Sequence, residues 1–195
     1  MWKIYILNDW SDFDMKSVPL FLTRYYVAGE NPFMSLNDYP FEQANEIKKA
    51  HCKRNDIGGF YAEDDYLLHR REIENWIYRK LIEKGGNPQN NVPVYMTLGE
   101  SPKSEYDIGV DIQRNPAEIR IPVSKIDLSA VTFTFPDSMY KFVLSDNGNI
   151  IGGERTNTPD VYLYHEIGAV INKFLTDEHY IEAQVWNREM LSKFL

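Results

Sequence analysis

The stretch with most chemical potential reads His179-Tyr180-Ile181-Glu182-Ala183-Gln184-Val185-Trp186. Its alternation predicts a strand with Ile181, Ala183 and Val185 on the buried face. Tyr180, Glu182, Gln184 and Trp186 then share the opposite face. A carboxylate and an amide between two large aromatics suit the wall of a small-molecule cleft. The plain alternative is a solvent-facing stripe whose aromatics cover a loop. A second stretch, Pro93-Val94-Tyr95-Met96-Thr97-Leu98, puts Val94, Met96 and Leu98 on one face and Tyr95 and Thr97 on the other. A tyrosine and a threonine pointing together off a core strand suit stacking on a ring and binding a ribose hydroxyl. Their plain alternative is an ordinary half-buried strand. The third piece is Arg24, on the same face of its strand as Leu20 and Leu22. A buried arginine needs a partner, because an unpaired charge is expensive away from water. That partner is either an internal acid such as Glu74 or the phosphates of a ligand.

Other chemistries find little support. The segment Gly99-Glu100-Ser101-Pro102 lacks the second glycine of a nucleophile elbow. There is no Walker loop and no G-x-G-x-x-G after a strand. His51 adjoins Cys52, but neighbours on a helix point apart, so Cys52 gains no base. The histidines His51, His69, His165 and His179 lack H-x-x-x-H spacing, so no metal site is expected.

Elements that position these residues can be read along the chain. Strands are expected at Trp2–Leu7, Leu20–Val27, Val92–Leu98, Glu118–Ile121, Val131–Phe135 and His179–Trp186. A first helix starts near Pro40, with Phe41, Ala44 and Ile47 at helical spacing. The clearest helix spans Asp65–Lys84, capped by Asp64 or Asp65 and ended at Gly85-Gly86 through a left-handed cap. Its apolar stripe is Tyr66, Ile73, Trp76, Ile77 and Leu81. Arg70 lies on that stripe, and Glu74 one turn later is placed to pair with it. The segment Gly99–Pro116 reads as a long loop. A short helix over Met139–Leu144, a loop over Asp146–Thr158 and a last helix over His165–Leu175 follow. That last helix faces Ile167, Val170, Ile171 and Phe174 inward. A short amphipathic tail closes the chain.

With 195 residues and 14% aromatics the chain can build a sizeable core without staples. No linker or repeat divides it, so residues 1–195 are expected to form a single α+β domain. That domain would hold a mixed or antiparallel sheet with three main helices packed on it. A net charge of −8 argues against general nucleic-acid binding. No segment approaches the roughly 20 apolar residues of a membrane-spanning helix. Cys52 is the single cysteine, and the apolar run within Met1–Asp9 is too short for a secretion signal. A cytoplasmic protein is expected.

The order of these pieces resembles the ADP-ribosyltransferase fold, most nearly that of DNA-targeting ADP-ribosyltransferase toxins. Val92-Pro93-Val94-Tyr95-Met96-Thr97 and Ser101-Pro102 look like that family's central V-P-F-Y-F strand and its following R-S-P. Glu118–Val123 and Val131–Phe135 look like the strands that follow. Ile181-Glu182-Ala183-Gln184-Val185 looks like the late strand carrying the catalytic glutamate. The early strand departs from the family in lacking His-x-Thr or a clear Arg-based signature, and Gln184 rather than Glu stands two residues after Glu182. The resemblance implies an NAD-using transferase with Glu182 catalytic and Arg24, Tyr95, Thr97 and Gln184 binding NAD. It implies Tyr95 stacked on nicotinamide, Arg24 on the pyrophosphate, and the Gly99–Pro116 loop at an acceptor it does not identify. Phe133-Thr134-Phe135-Pro136-Asp137-Ser138-Met139 is also similar to a segment of uncharacterised bacterial proteins. The alternative is a non-enzymatic acidic interaction module, a regulator or toxin-neutralising protein that binds a protein partner.

Overall fold

The computed structural model describes residues 17–55, 59–101, 116–135, 137–139, 160–174 and 180–195. The expected strand at Trp2–Leu7, the helix at Met139–Leu144 beyond its first residue, and most of the Gly99–Pro116 and Asp146–Thr158 loops lie outside these residues.

The protein has an α+β fold built on one sheet of six strands in the order β3-β1-β2-β6-β4-β5. These are β1 (Phe21–Val27), β2 (Val94–Leu98), β3 (Pro116–Pro122), β4 (Val131–Phe135), β5 (Asp160–Tyr162) and β6 (Glu182–Val185). Every neighbouring pair is antiparallel. The helices are α1 (Phe41–Asn55), α2 (Tyr66–Glu83), α3 (Ile167–Phe174) and the short α4 (Arg188–Leu191). Among the described residues, no helix is long and apolar enough to cross a membrane.

Alternation divides the sheet into two unlike faces. Leu22, Val94, Met96, Leu98, Val131, Phe133, Ala183 and Val185 are buried together in one apolar cluster. Ile167, Val170 and Ile171 of α3 and Leu191 of α4 complete it. On the other face, α2 lays Ile73, Ile77 and Leu81 against Val161 of β5, Met139 and Trp186. The Trp186 ring meets Tyr78 edge-on at 5.5 Å. Trp76 is only partly buried, and Leu67, absent from the expected stripe, is fully buried.

The ends of α2 differ from expectation at one end and agree at the other. Asp65 precedes the helix with its side chain making no capping bond. Its carbonyl accepts from Leu68 and His69 instead, and its carboxylate lies 3.8 Å from His69 Nε2. At the far end Gly85 takes φ +83°, a left-handed conformation that costs a side-chain-bearing residue. The Gly85 and Gly86 N–H groups then close back onto the Ile82 and Leu81 carbonyls.

Two further differences concern the first half of the chain. Ile47 of α1 is more than a third exposed, whereas the adjacent Lys48 is fully buried. The Lys48 ammonium donates to the carbonyls of Ala62 and Glu63, pinning the turn that precedes α2. Strand β1 pairs with β3 along all seven residues, but with β2 only at Leu22–Leu98 and Thr23–Thr97. Past Thr23 the β1–β2 seam opens, and this opening makes room for the site.

Candidate active site

On the face under α2, the register lines up four polar residues from four strands: Thr23, Thr97, Glu182 and Thr134. The next row holds Tyr95, Gln184 and Thr132. The period-two expectation for β2 and β6 therefore holds, with polar groups on one face and apolar groups on the other. Two cavities lie against this face. One of about 320 Å³ is lined by Thr23, Arg24, Thr97 and Glu182, with a wall of tyrosines that includes Tyr66, Tyr95 and Tyr180. The other, about 550 Å³, shares Arg24, Tyr25, Tyr61, Tyr66 and Tyr95 with it and extends to Arg70, Tyr39 and Ile47. Together they fall in the size range of small-molecule sites.

Four of the five residues singled out in the sequence, Arg24, Tyr95, Thr97 and Glu182, line the smaller cavity. Gln184 lines neither and is fully buried behind Glu182. Glu182 is 6% exposed. Its Oε2 accepts from Gln184 Nε2 at 2.9 Å, Thr134 Oγ1 at 3.2 Å and the Ser138 N–H at 3.2 Å. All three of these donors converge on Oε2. Burial, then the nearby Asp137 carboxylate, push the Glu182 pKa up to about 7, against the opposing pull of Arg70. Asp137 is itself held by the Tyr180 hydroxyl at 2.7 Å and the Met139 N–H at 2.7 Å. A carboxyl poised near neutrality in a lined cavity can exchange a proton or face a cation with equal readiness.

Arg24 does not pair with Glu74, the internal acid the sequence offered. Its guanidinium sits where β1 and β2 part and donates to three carbonyls: Pro32 at 2.6 Å, Tyr95 at 2.9 Å and Met34 at 3.4 Å. Glu74 instead pairs with Arg70 at 3.3 Å and accepts from Asn37 Nδ2 at 2.7 Å. Burial, then repulsion from Arg70, lower the Arg24 pKa to about 10. Two guanidiniums thus face the larger cavity, and the Glu74 carboxylate pairs with Arg70. Burial pulls Arg70 down, but Tyr95, Tyr66, Glu182 and Glu74 together hold its pKa above the ordinary value.

Tyr95 is covered on one ring face, because the Arg70 guanidinium carbon lies 3.4 Å from its centroid. Burial keeps its phenol neutral. The Thr97 hydroxyl is turned to backbone, 3.3 Å from the Thr23 carbonyl and 3.4 Å from that of Gly99. Thr23 Oγ1 donates to the same Gly99 carbonyl at 2.6 Å. Gly99 holds φ +77°, and a side chain there would meet Pro19 at 3.0 Å. This glycine therefore fixes the end of β2 beside the site.

Sequence reasoning set Tyr180 on the Glu182 face as a cleft-wall aromatic, which the smaller cavity bears out, but passed over Tyr61, Tyr66, Asp137 and Ser138 as site residues. Tyr66 had a legible signal: it stands four residues before Arg70, hence on the same helix face. Pro136-Asp137-Ser138 reads in the sequence as the end of the preceding strand and a cap for the short helix at Met139–Leu144, not as part of a site. Comparison with family models, with curated proteins and with solved structures finds no match for this chain.

Proposed function

We propose that the chain is an NAD-dependent ADP-ribosyltransferase-like enzyme whose acting carboxylate is Glu182. The observation that supports this reading most is positional. The central and late strands that carry the resemblance, β2 and β6, are neighbours, and β1, the early strand that lacks the family's signature, adjoins β2. Glu182 lines a cavity that Arg24, Tyr95 and Thr97 also line. The residues present suit a dinucleotide. Flat aromatic walls suit its rings, and Arg24, which has no carboxylate among its described partners, suits an anion. Thr97 and Tyr95 would line the ribose and ring end, and Arg24 and Arg70 would face the phosphates.

Breaking a nicotinamide–ribose bond builds positive charge on the ribose. Glu182, fixed by three donors on Oε2, would offer Oε1 to that charge as it develops, where preorganised electrostatics act most strongly. Arg70, attractive to phosphate, would also keep the carboxyl ionised more readily than burial alone allows.

The experiment combines thermal stabilisation by NAD with release of free nicotinamide. A ligand that binds only the native state raises the unfolding midpoint by mass action. The wild-type chain should show both signals. Glu182→Gln should keep the stabilisation and lose at least about 100-fold in turnover. No stabilisation and no nicotinamide at millimolar NAD would overturn the reading and leave the interaction module in its place.

A further inference from the structure

We infer that Gln184 is a positioning residue for Glu182, the last link of a directional hydrogen-bond relay that leaves the glutamate's exchangeable proton to the cavity side. The inference rests on the reading of Glu182 as the carboxylate that meets the ligand. The relay begins at the Trp186 indole, a donor only, whose Nε1 gives its proton to Thr132 Oγ1 at 2.8 Å. Thr132, accepting there, turns its own hydroxyl proton to Gln184 Oε1 at 2.9 Å. That bond fixes which way the amide points, so Gln184 Nε2 faces the other way. Its two protons go to Thr134 Oγ1 at 2.9 Å and Glu182 Oε2 at 2.9 Å. Thr134, accepting from Gln184, sends its proton to Glu182 Oε2 at 3.2 Å.

Every donor in this chain therefore points the same way, from the indole toward the carboxylate. Thr132, Thr134 and Gln184 are fully buried, so water does not compete for these bonds. The Ser138 N–H adds a third donor to the same oxygen. An oxygen receiving three protons has no place for a fourth, so a proton taken up by Glu182 sits on Oε1. The relay thus sets both the orientation of the carboxyl and the side from which it titrates. The groups facing Glu182 in that titration are Asp137, Arg70, Tyr66, Tyr95 and Tyr180. This role differs from ligand contact, because Gln184 reaches neither cavity.

The test reads the Glu182 titration directly in the free protein, by carbon NMR of labelled glutamate carboxyls, with Glu182→Gln assigning the signal. Loss of one charge-assisted donor should raise the Glu182 midpoint by about one pH unit in Gln184→Leu. Thr132→Val, which keeps shape but frees the amide to turn, should raise it in the same direction. Thr132→Ser should restore the wild-type midpoint. A merely structural Gln184 would lower the unfolding temperature and leave the midpoint where it is. An unchanged midpoint in Thr132→Val overturns the inference, even if Gln184→Leu fails to fold. No NAD enters this measurement, so a shifted midpoint without nicotinamide release refutes the proposed activity alone.

Discussion

Replacing Glu182 by glutamine removes a buried titration while leaving the side chain's shape nearly unchanged. The carboxyl titrates near 7 in the fold, burial being the first cause and Asp137 the second. An unperturbed glutamate titrates near pH 4.3, about the value in the unfolded chain. A folded midpoint above the unfolded one means that the native state holds the proton more tightly. The associated stability is fully present below roughly pH 4.3 and is lost as pH rises through about 7. Full ionisation therefore costs the wild-type chain about 4 kcal/mol, at roughly 1.4 kcal/mol per pH unit between the two midpoints. The glutamine variant has no such loss. Its amide oxygen can accept from Gln184, Thr134 and Ser138, with the amide nitrogen on the cavity side. Urea denaturation of both proteins at pH 5, 7 and 9 measures the difference. The variant should be more stable by about 1 kcal/mol at pH 5, rising to about 4 kcal/mol at pH 9. Asp137, Arg70, Tyr66, Tyr95 and Tyr180 face the group in both proteins, so the difference isolates position 182. Stability curves that stay parallel from pH 5 to 9 would refute the reasoning, because Glu182 would then titrate as it does unfolded.

Arg24→Lys should lower stability by about 1–3 kcal/mol, since an ammonium cannot serve three separately placed carbonyls as the guanidinium fork does. An unchanged unfolding midpoint would show that the β1–β2 opening does not depend on it. Ile77→Ala should cost about 2–5 kcal/mol by leaving a cavity between α2 and Trp186, and more than Trp76→Ala, whose side chain is only part-buried. Equal losses in chemical denaturation would contradict that ordering. Gly85→Ala should cost about 1 kcal/mol through backbone conformation alone, because a side chain there meets nothing within 4 Å. A stability equal to wild type would mean that the α2 cap relaxes without penalty.

The faces of β2 and β6 were legible because alternation is a property of the strand itself, independent of what it packs on. Tyr95, Thr97 and Glu182 came from that local rule, and the register carried them into adjacent rows. Arg24 shows where the rule stops. Alternation groups it with Leu20 and Leu22 and asks for an internal acid or a ligand's phosphates, yet β1 leaves β2 just before it and three carbonyls become available. That separation is a relation between strands, and no period within β1 encodes it. Gln184 shows a second limit. Its face was read correctly, but whether it reaches a cavity depends on Thr132 and Trp186 closing over it. Lys48 was hidden for a similar reason: its burial is set by the carbonyls of Ala62 and Glu63, in a turn that composition does not foreshadow. The Asp65 cap failed because its carboxylate turned toward His69, a choice that spacing leaves open.

Alternation also explains how the fold tolerates such a site. Burying an ionisable carboxyl, two guanidiniums and a row of threonines under α2 costs stability that must be offset elsewhere. The same strands offset it from their other face. Ala183 and Val185 flank Gln184 in β6, Val94 and Met96 flank Tyr95 in β2, and all four are buried in the cluster beneath α3. Apolar burial is roughly proportional to area and indifferent to charge, so that face holds the strands in register whatever the ionisation of Glu182. The polar face can then carry a carboxyl that is half ionised near neutrality, with its three donors kept in place by pairing on the opposite side. A substitution at Val94 or Val185 should therefore weaken the whole sheet, whereas one at Glu182 changes the cavity and leaves the register intact.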